Sequence, residues 1–152
     1  MARPRIPLVI VNRSGRSVPK AFLQEWVALV AKQASAKIEA SRFDGRELTI
    51  AFVTKAEIKR LNKTYRGIDK PTDVLSFEPI DEGALGELAI SPEVISKQAR
   101  EHGLLVREEL GYMVLHGILH LLGYDHETHE RDAKKMFTLQ DAIFDSILKP
   151  GR

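Results

Sequence analysis

Leu110-Gly-Tyr-Met-Val-Leu-His116-Gly-Ile-Leu-His120-Leu-Leu-Gly123-Tyr-Asp-His126 is almost wholly apolar as far as Leu122, yet it carries histidines at 116, 120 and 126. A helix with this composition is apolar on nearly every side and belongs in the interior. His116 and His120 are four apart, one turn from each other on one helix face. Gly123 marks the stop, because glycine readily takes the left-handed backbone that follows a last helical turn. His126 comes three residues later and can fold back toward the other two. Buried imidazoles need a partner at each ring nitrogen. Hydrogen bonds to carbonyls satisfy a lone core histidine easily, but a shared metal ion satisfies three at once. Three protein ligands with a fourth position left for water describe an open zinc site.

The spacing of His116, His120, Gly123 and His126 is that of the H-E-x-x-H-x-x-G-x-x-H metalloprotease signature, with one difference. Gly117 stands where the signature has the glutamate that takes a proton from the zinc-bound water, and glycine cannot act as a base. The ligand geometry is kept while the peptidase's base is absent. His129 is an alternative third ligand, but it lies beyond the turn, at the start of the next helix. His102 precedes Gly103 at a helix C-terminus, where a histidine interacts favourably with the dipole, and a solvent-exposed position is expected for it.

Outward from this helix, the pattern predicts strands at Leu8–Val11, Glu47–Val53, Val74–Phe77 and Leu85–Ile90. Leu48, Ile50 and Phe52 alternate with Thr49, Ala51 and Val53. A helix is predicted from Pro19 to near Ser41, carrying Phe22, Trp26, Leu29, Val30 and Ile38, with a turn at Arg42-Phe-Asp-Gly-Arg46. Thr54-Lys-Ala-Glu57 is a capping box that opens a helix to about Tyr65. Ser91-Pro92-Glu93 opens another, which stops at Gly103. The histidine helix is predicted over Val106–Leu122. A last helix starts near Glu130, with Met136, Leu139, Ile143 and Ile147 at core spacing. Neither repeats nor an interdomain linker interrupts this order, so residues 1–152 read as one α+β domain.

Composition limits the chemistry further. The 152 residues contain no cysteine, so disulfides and thiolate metal sites are excluded and any metal must use histidine and carboxylates. Pro7 interrupts the short apolar run near the N-terminus, which fits a strand better than a secretion signal. No stretch approaches the ~18 consecutive apolar residues of a membrane span, and the cytoplasm is the expected location. A net charge of +2 is too mild to name a polyanionic partner by itself.

Charge is instead concentrated locally. Between Lys55 and Lys70 six basic residues face two acidic ones. Lys59, Arg60 and Lys63 are equally consistent with a solvated helix face. Arg66 is expected on a loop with Gly67, where its planar fork can meet a phosphate. With a three-histidine metal opposite, the substrate becomes a phosphodiester. Lys59, Lys63 and Lys70 are then candidates for following the nucleic-acid backbone, and binding should be salt-sensitive. Thr72, Asp73 and Ser76 are expected to hold the loop's shape.

Together the two constellations resemble the YbeY family of single-strand-specific endoribonucleases. The matching residues are Leu61-Asn62, Tyr65-Arg66, Asp69, Pro71-Thr-Asp-Val-Leu-Ser-Phe77, Gly86, Ile90-Ser91, His116-Gly-Ile-Leu-His-Leu-Leu-Gly-Tyr-Asp-His126 and Met136. The resemblance implies an α+β fold with a mixed four-stranded sheet packed with helices, zincin-like and related to zinc metalloproteases. It implies one Zn²⁺ per chain on His116, His120 and His126, and a catalytic Arg66. The implied work is small-subunit ribosomal RNA 3′-end maturation and ribosome quality control in the cytoplasm. Single-stranded RNA is the implied substrate, with ribosomal proteins or assembly GTPases as candidate protein partners and no membrane. Gly86-Glu87 departs from the family's usual Gly-Asp, which lengthens the acid by one methylene.

Three routes to the attacking group stay open: hydroxide supplied by the metal, Glu87 as the base, and the RNA's own 2′-hydroxyl attacking in line. Two other functions also stay open. One is a zincin-like hydrolase of another bond, and the other is a non-catalytic ribosome assembly factor with structural zinc.

Overall fold

The computed structural model describes residues 3–124 and 129–148. In chain order its elements are β1 (Leu8–Asn12), α1 (Lys20–Ala34), a 3₁₀ turn (Ala40–Arg42), β2 (Glu47–Phe52) and α2 (Lys55–Arg66), then β3 (Val74–Phe77), β4 (Ala84–Ile90), α3 (Pro92–His102), α4 (Val106–Leu121) and α5 (Glu130–Leu148). The strands form one sheet in the order β1-β2-β4-β3. β1 and β4 run parallel to β2, and β3 runs antiparallel to β4. This is the mixed four-stranded α+β arrangement expected from the sequence.

Strand alternation sorts the core into two layers. Leu48, Ile50 and Phe52 of β2 and Leu88 and Ile90 of β4 pack with α1, α4 and α5. On the other face Val53, Leu75 and Ala89 pack against Ile58 of α2. α4 therefore lies between the sheet and the two long outer helices. Among the described residues no helix is long and apolar enough to cross a membrane.

Two expectations change. The helix predicted from Pro19 to Ser41 ends at Ala34. There the Ser35 hydroxyl donates to the Lys32 carbonyl, the local side-chain bond that competes with helix continuation. Ile38 keeps its place in the core because its N–H donates to the Ala34 carbonyl, folding it back through a tight turn rather than another helical turn. Phe43, expected in an ordinary turn, is fully buried. The second change concerns Arg66, which is the last residue of α2 and not a loop residue. Thr54 does cap α2, accepting from the Glu57 N–H, and Gly67 (φ 71°) ends it in the left-handed conformation.

Candidate metal centre and substrate cleft

Close approach of backbones puts α4 at the centre of the molecule. A Cβ on Gly117 would lie 2.6 Å from Leu88 Cδ2, and one on Gly111 would lie 2.8 Å from Trp26 Cε2. Leu88 is fully buried and Trp26 nearly so, so neither neighbour has empty space to move into. Gly117 is thus a packing requirement of α4 on β4, and a glutamate side chain has no room there. At the other end, Tyr124 N–H donates to the Leu119 carbonyl and Gly123 N–H to the His120 carbonyl. With Gly123 at φ 97° this is a Schellman cap, ending α4 one residue before the expected Leu122.

His116 and His120 sit edge-to-face with ring centroids 4.9 Å apart. His116 is buried, and its Nδ1 lies 2.9 Å from Oε1 of Gln140 on α5. A carbonyl oxygen only accepts, so Nδ1 carries the proton and Nε2 is the basic nitrogen. Phe137, one turn earlier on α5, stacks on the His116 ring at 6.0 Å. This fixes both tautomer and ring orientation, as a metal-binding imidazole requires. Gln140 is fully buried at a core position between Met136 and Ile143. Sequence reasoning missed it, although a polar residue within that apolar stripe was a readable signal.

The C-terminal end of α2 faces this pair. Asn62, itself buried, donates from Nδ2 to the Lys70 carbonyl and so ties the following loop to the helix. Tyr65 meets Phe77 of β3 edge-to-face at 5.1 Å. Asp73 accepts from the Val74 N–H at 2.8 Å, holding the loop's entry into β3 as expected. The result is a cleft of about 570 Å³ whose walls include Arg66, Asp73, Ser76, Tyr112, His116 and His120. Two stretches some fifty residues apart in sequence meet there. Tyr112 also donates to Asp141 at 2.9 Å. Burial first, then that bond and the charges of Asp141, Glu109 and Asp145, push its phenol well above the usual tyrosine range.

Other candidate residues lie elsewhere. His126 falls outside the described residues. His129 is exposed, its carbonyl accepting from the Ala133 N–H at the start of α5. The His102 ring is largely exposed, as expected, but its Nδ1 lies 2.7 Å from the buried carboxylate of Glu109. Lys59, Lys63 and Lys70 are exposed and do not line the cleft; Lys59 lies 3.9 Å from Asp69. Glu87, a candidate proton acceptor, is not a wall of the cleft: it lines an adjoining groove with Arg13, Glu57 and Leu61, which shares Tyr65, Phe77 and Glu78 with the cleft. Strand alternation is the reason, since Leu88 faces α4 and its neighbour must face the α2 side.

A family model described as Endoribonuclease YbeY matches residues 9–148. The chain is 48% identical over 143 residues to the Endoribonuclease YbeY of Bdellovibrio bacteriovorus, covering 93% of this chain and 95% of that one. It is 43% identical over 148 residues to the Endoribonuclease YbeY of Persephonella marina, covering 91% and 92%. Among solved structures, the solution structure of TM1509 from Thermotoga maritima matches with a TM-score of 0.62 at 30% identity, covering 95% of this chain and 99% of that one.

Proposed function

The chain belongs to the endoribonuclease YbeY family, and from that premise we propose that it is a zinc-dependent endoribonuclease for single-stranded RNA. Its proposed work is 3′-end maturation of small-subunit ribosomal RNA and ribosome quality control in the cytoplasm. The supporting observation is the single cleft that joins Arg66 to the His116–His120 pair.

The donor set fits a metal ion. Gln140 holds His116 with Nε2 basic, and His120 is its neighbour one turn on. Among the described residues no cluster of three potential ligands forms, and the proposed third ligand, His126, lies outside them. When bound, the metal supplies Lewis acidity toward a phosphoryl oxygen and makes its water more acidic.

The chain's own residues do the rest. Arg66 presents a planar, permanently charged fork to the scissile phosphate and stabilises the charge that grows on its oxygens in the transition state. The C-terminal end of α2, negative by its dipole, favours the guanidinium there. Tyr65 is an exposed ring at the cleft and offers a face on which an unpaired base can stack, which suits a single strand better than a duplex. Water and the RNA's 2′-hydroxyl are the two candidate nucleophiles. Gly117 leaves α4 without the base of a peptidase, so hydrolysis of peptides is not favoured. A relationship to the zinc metalloproteases belongs to this same proposal and rests on the histidine spacing.

The test is cleavage of a labelled single-stranded RNA and of the same sequence as a duplex. Single strands should be cut, duplexes should resist, a chelator should stop cleavage and added zinc should restore it. Undiminished cleavage after complete removal of metal would contradict zinc dependence.

A further inference from the structure

Beyond the end of α4 lie two adjoining cavities, of about 330 and 510 Å³, that share Tyr124 and Lys135. Among the described residues, their walls carry Lys37, Arg42, Arg131, Lys134 and Lys135 against one carboxylate, Asp132. That leaves a local +4, twice the +2 of the whole chain. A solvated helix face explains Arg131, Lys134 and Lys135, which lie along α5. It does not explain why the turn after α1 brings Lys37, and the 3₁₀ turn brings Arg42, to the same place. Nor are these charges neutralised: among the described residues none of the five is paired with a carboxylate, whereas Arg13, Arg16, Lys59 and Lys97 each are. Arg42 donates to the Leu122 carbonyl and lies 5.8 Å over the Tyr124 ring, so the aromatic is fixed within the basic walls.

The surface and the cleft are built on the same two helices. His120, in the last turn of α4, forms a wall of the cleft, and Leu122, Gly123 and Tyr124, its cap, form a wall of the basic cavity. Likewise Phe137 of α5 borders the cleft while Lys134 and Thr138 border the basic side. Unneutralised cations from separate elements around an aromatic ring are the chemistry that follows a single-stranded phosphate backbone. We propose that this surface is a second RNA-binding site, which holds the part of a single-stranded substrate that extends beyond the cleft. The proposal rests on the endoribonuclease reading above.

The test is the triple variant Arg131→Glu/Lys134→Glu/Lys135→Glu, compared with wild type on a long single-stranded RNA and on a tetranucleotide. On the long RNA the variant should show at least a tenfold higher KM with kcat unchanged, and on the tetranucleotide no change. The salt dependence of long-RNA binding should become shallower by about 2 in log–log slope, at ~0.7 for each single-strand phosphate that is no longer neutralised. Filter binding of both RNAs reads the surface independently of cleavage. If wild type binds the long RNA tightly and the variant does not, the surface stands even should neither protein cleave, and the endoribonuclease reading alone fails. Unchanged long-RNA binding in a folded variant overturns the proposal, as does an equal loss on both RNAs. Should the triple glutamate variant misfold, Lys134→Gln/Lys135→Gln carries the same comparison, with a smaller rise in long-RNA KM expected and no rise overturning it.

Discussion

Gln140 Oε1 accepts a hydrogen bond from His116 Nδ1 at 2.9 Å, joining α5 to α4 in the interior of the protein. The bond selects one imidazole tautomer and so decides which nitrogen can meet a metal. Gln140 is fully buried, and among the described residues its Nε2 has no hydrogen-bond partner. An apolar residue at this position would remove that orphaned donor, which is costly when buried, but it would also release the His116 ring.

Gln140→Leu is therefore expected to lower metal affinity by roughly 10–100-fold, the usual effect of losing such an orienting partner. Thermal stability of the metal-free protein should hardly fall. Competition with a chromophoric chelator, alongside a melting curve, checks both. Unaltered affinity would show that the Gln140 side chain does not tune the site.

Arg66→Glu should abolish cleavage of single-stranded RNA and leave bound metal unchanged, because Arg66 shares the cleft with the histidines without being a metal ligand. Arg66→Lys should retain part of the activity, since lysine keeps the charge and loses the two-pronged geometry. Metal content and initial rates on one preparation separate the two roles. Full activity in Arg66→Glu would reject the assignment.

Gly117→Ala tests the packing of α4 on β4 by its sign. In an exposed helix interior, glycine to alanine stabilises by about 1 kcal/mol. Here the new Cβ would meet Leu88 Cδ2 at 2.6 Å inside a filled core. A net loss of about 1–3 kcal/mol is expected, which lowers Tm by roughly 2–4 °C for each kcal/mol in a chain of this size. A higher Tm would contradict the crowding.

Tyr112 supplies a pH dependence. An unfolded tyrosine loses its proton near ~10, whereas burial and the surrounding carboxylates keep the folded phenol protonated to higher pH. The stabilisation from this group is complete below the unfolded value and declines as pH rises above it. Denaturant titrations at alkaline pH should show a weaker decline in Tyr112→Phe than in wild type. Identical slopes would remove Tyr112 as the cause.

The sequence made α4 legible because one local pattern carried everything: continuous apolarity, two histidines at helical spacing, and a glycine at the cap. The four strands were legible for the same reason, through alternation and turn residues. What escaped depends on packing between distant segments. Ile38 continued α1's periodicity, yet the chain reaches the same core through a tight turn. Arg66 belongs to α2 because the Gly67 cap comes one residue later than the turn residues suggested. Gln140 could be recognised only as a polar residue on an apolar stripe, since its partner is on another helix. Strand alternation puts Glu87 on the α2 side of the sheet, opposite Leu88, in a groove that adjoins the cleft. The basic surface around Tyr124 combines residues from three elements and has no linear signature.

The central claim is that α4 holds a catalytic metal rather than a structural one. The most direct measurement is metal content, circular dichroism and single-stranded RNA cleavage on the same samples of wild type and His120→Ala. Wild type should hold about one zinc per chain and cleave, and the variant should lose both metal and cleavage while keeping its helical spectrum. A folded His120→Ala that still cleaves at the wild-type rate, or one that unfolds altogether on losing the metal, would contradict the account.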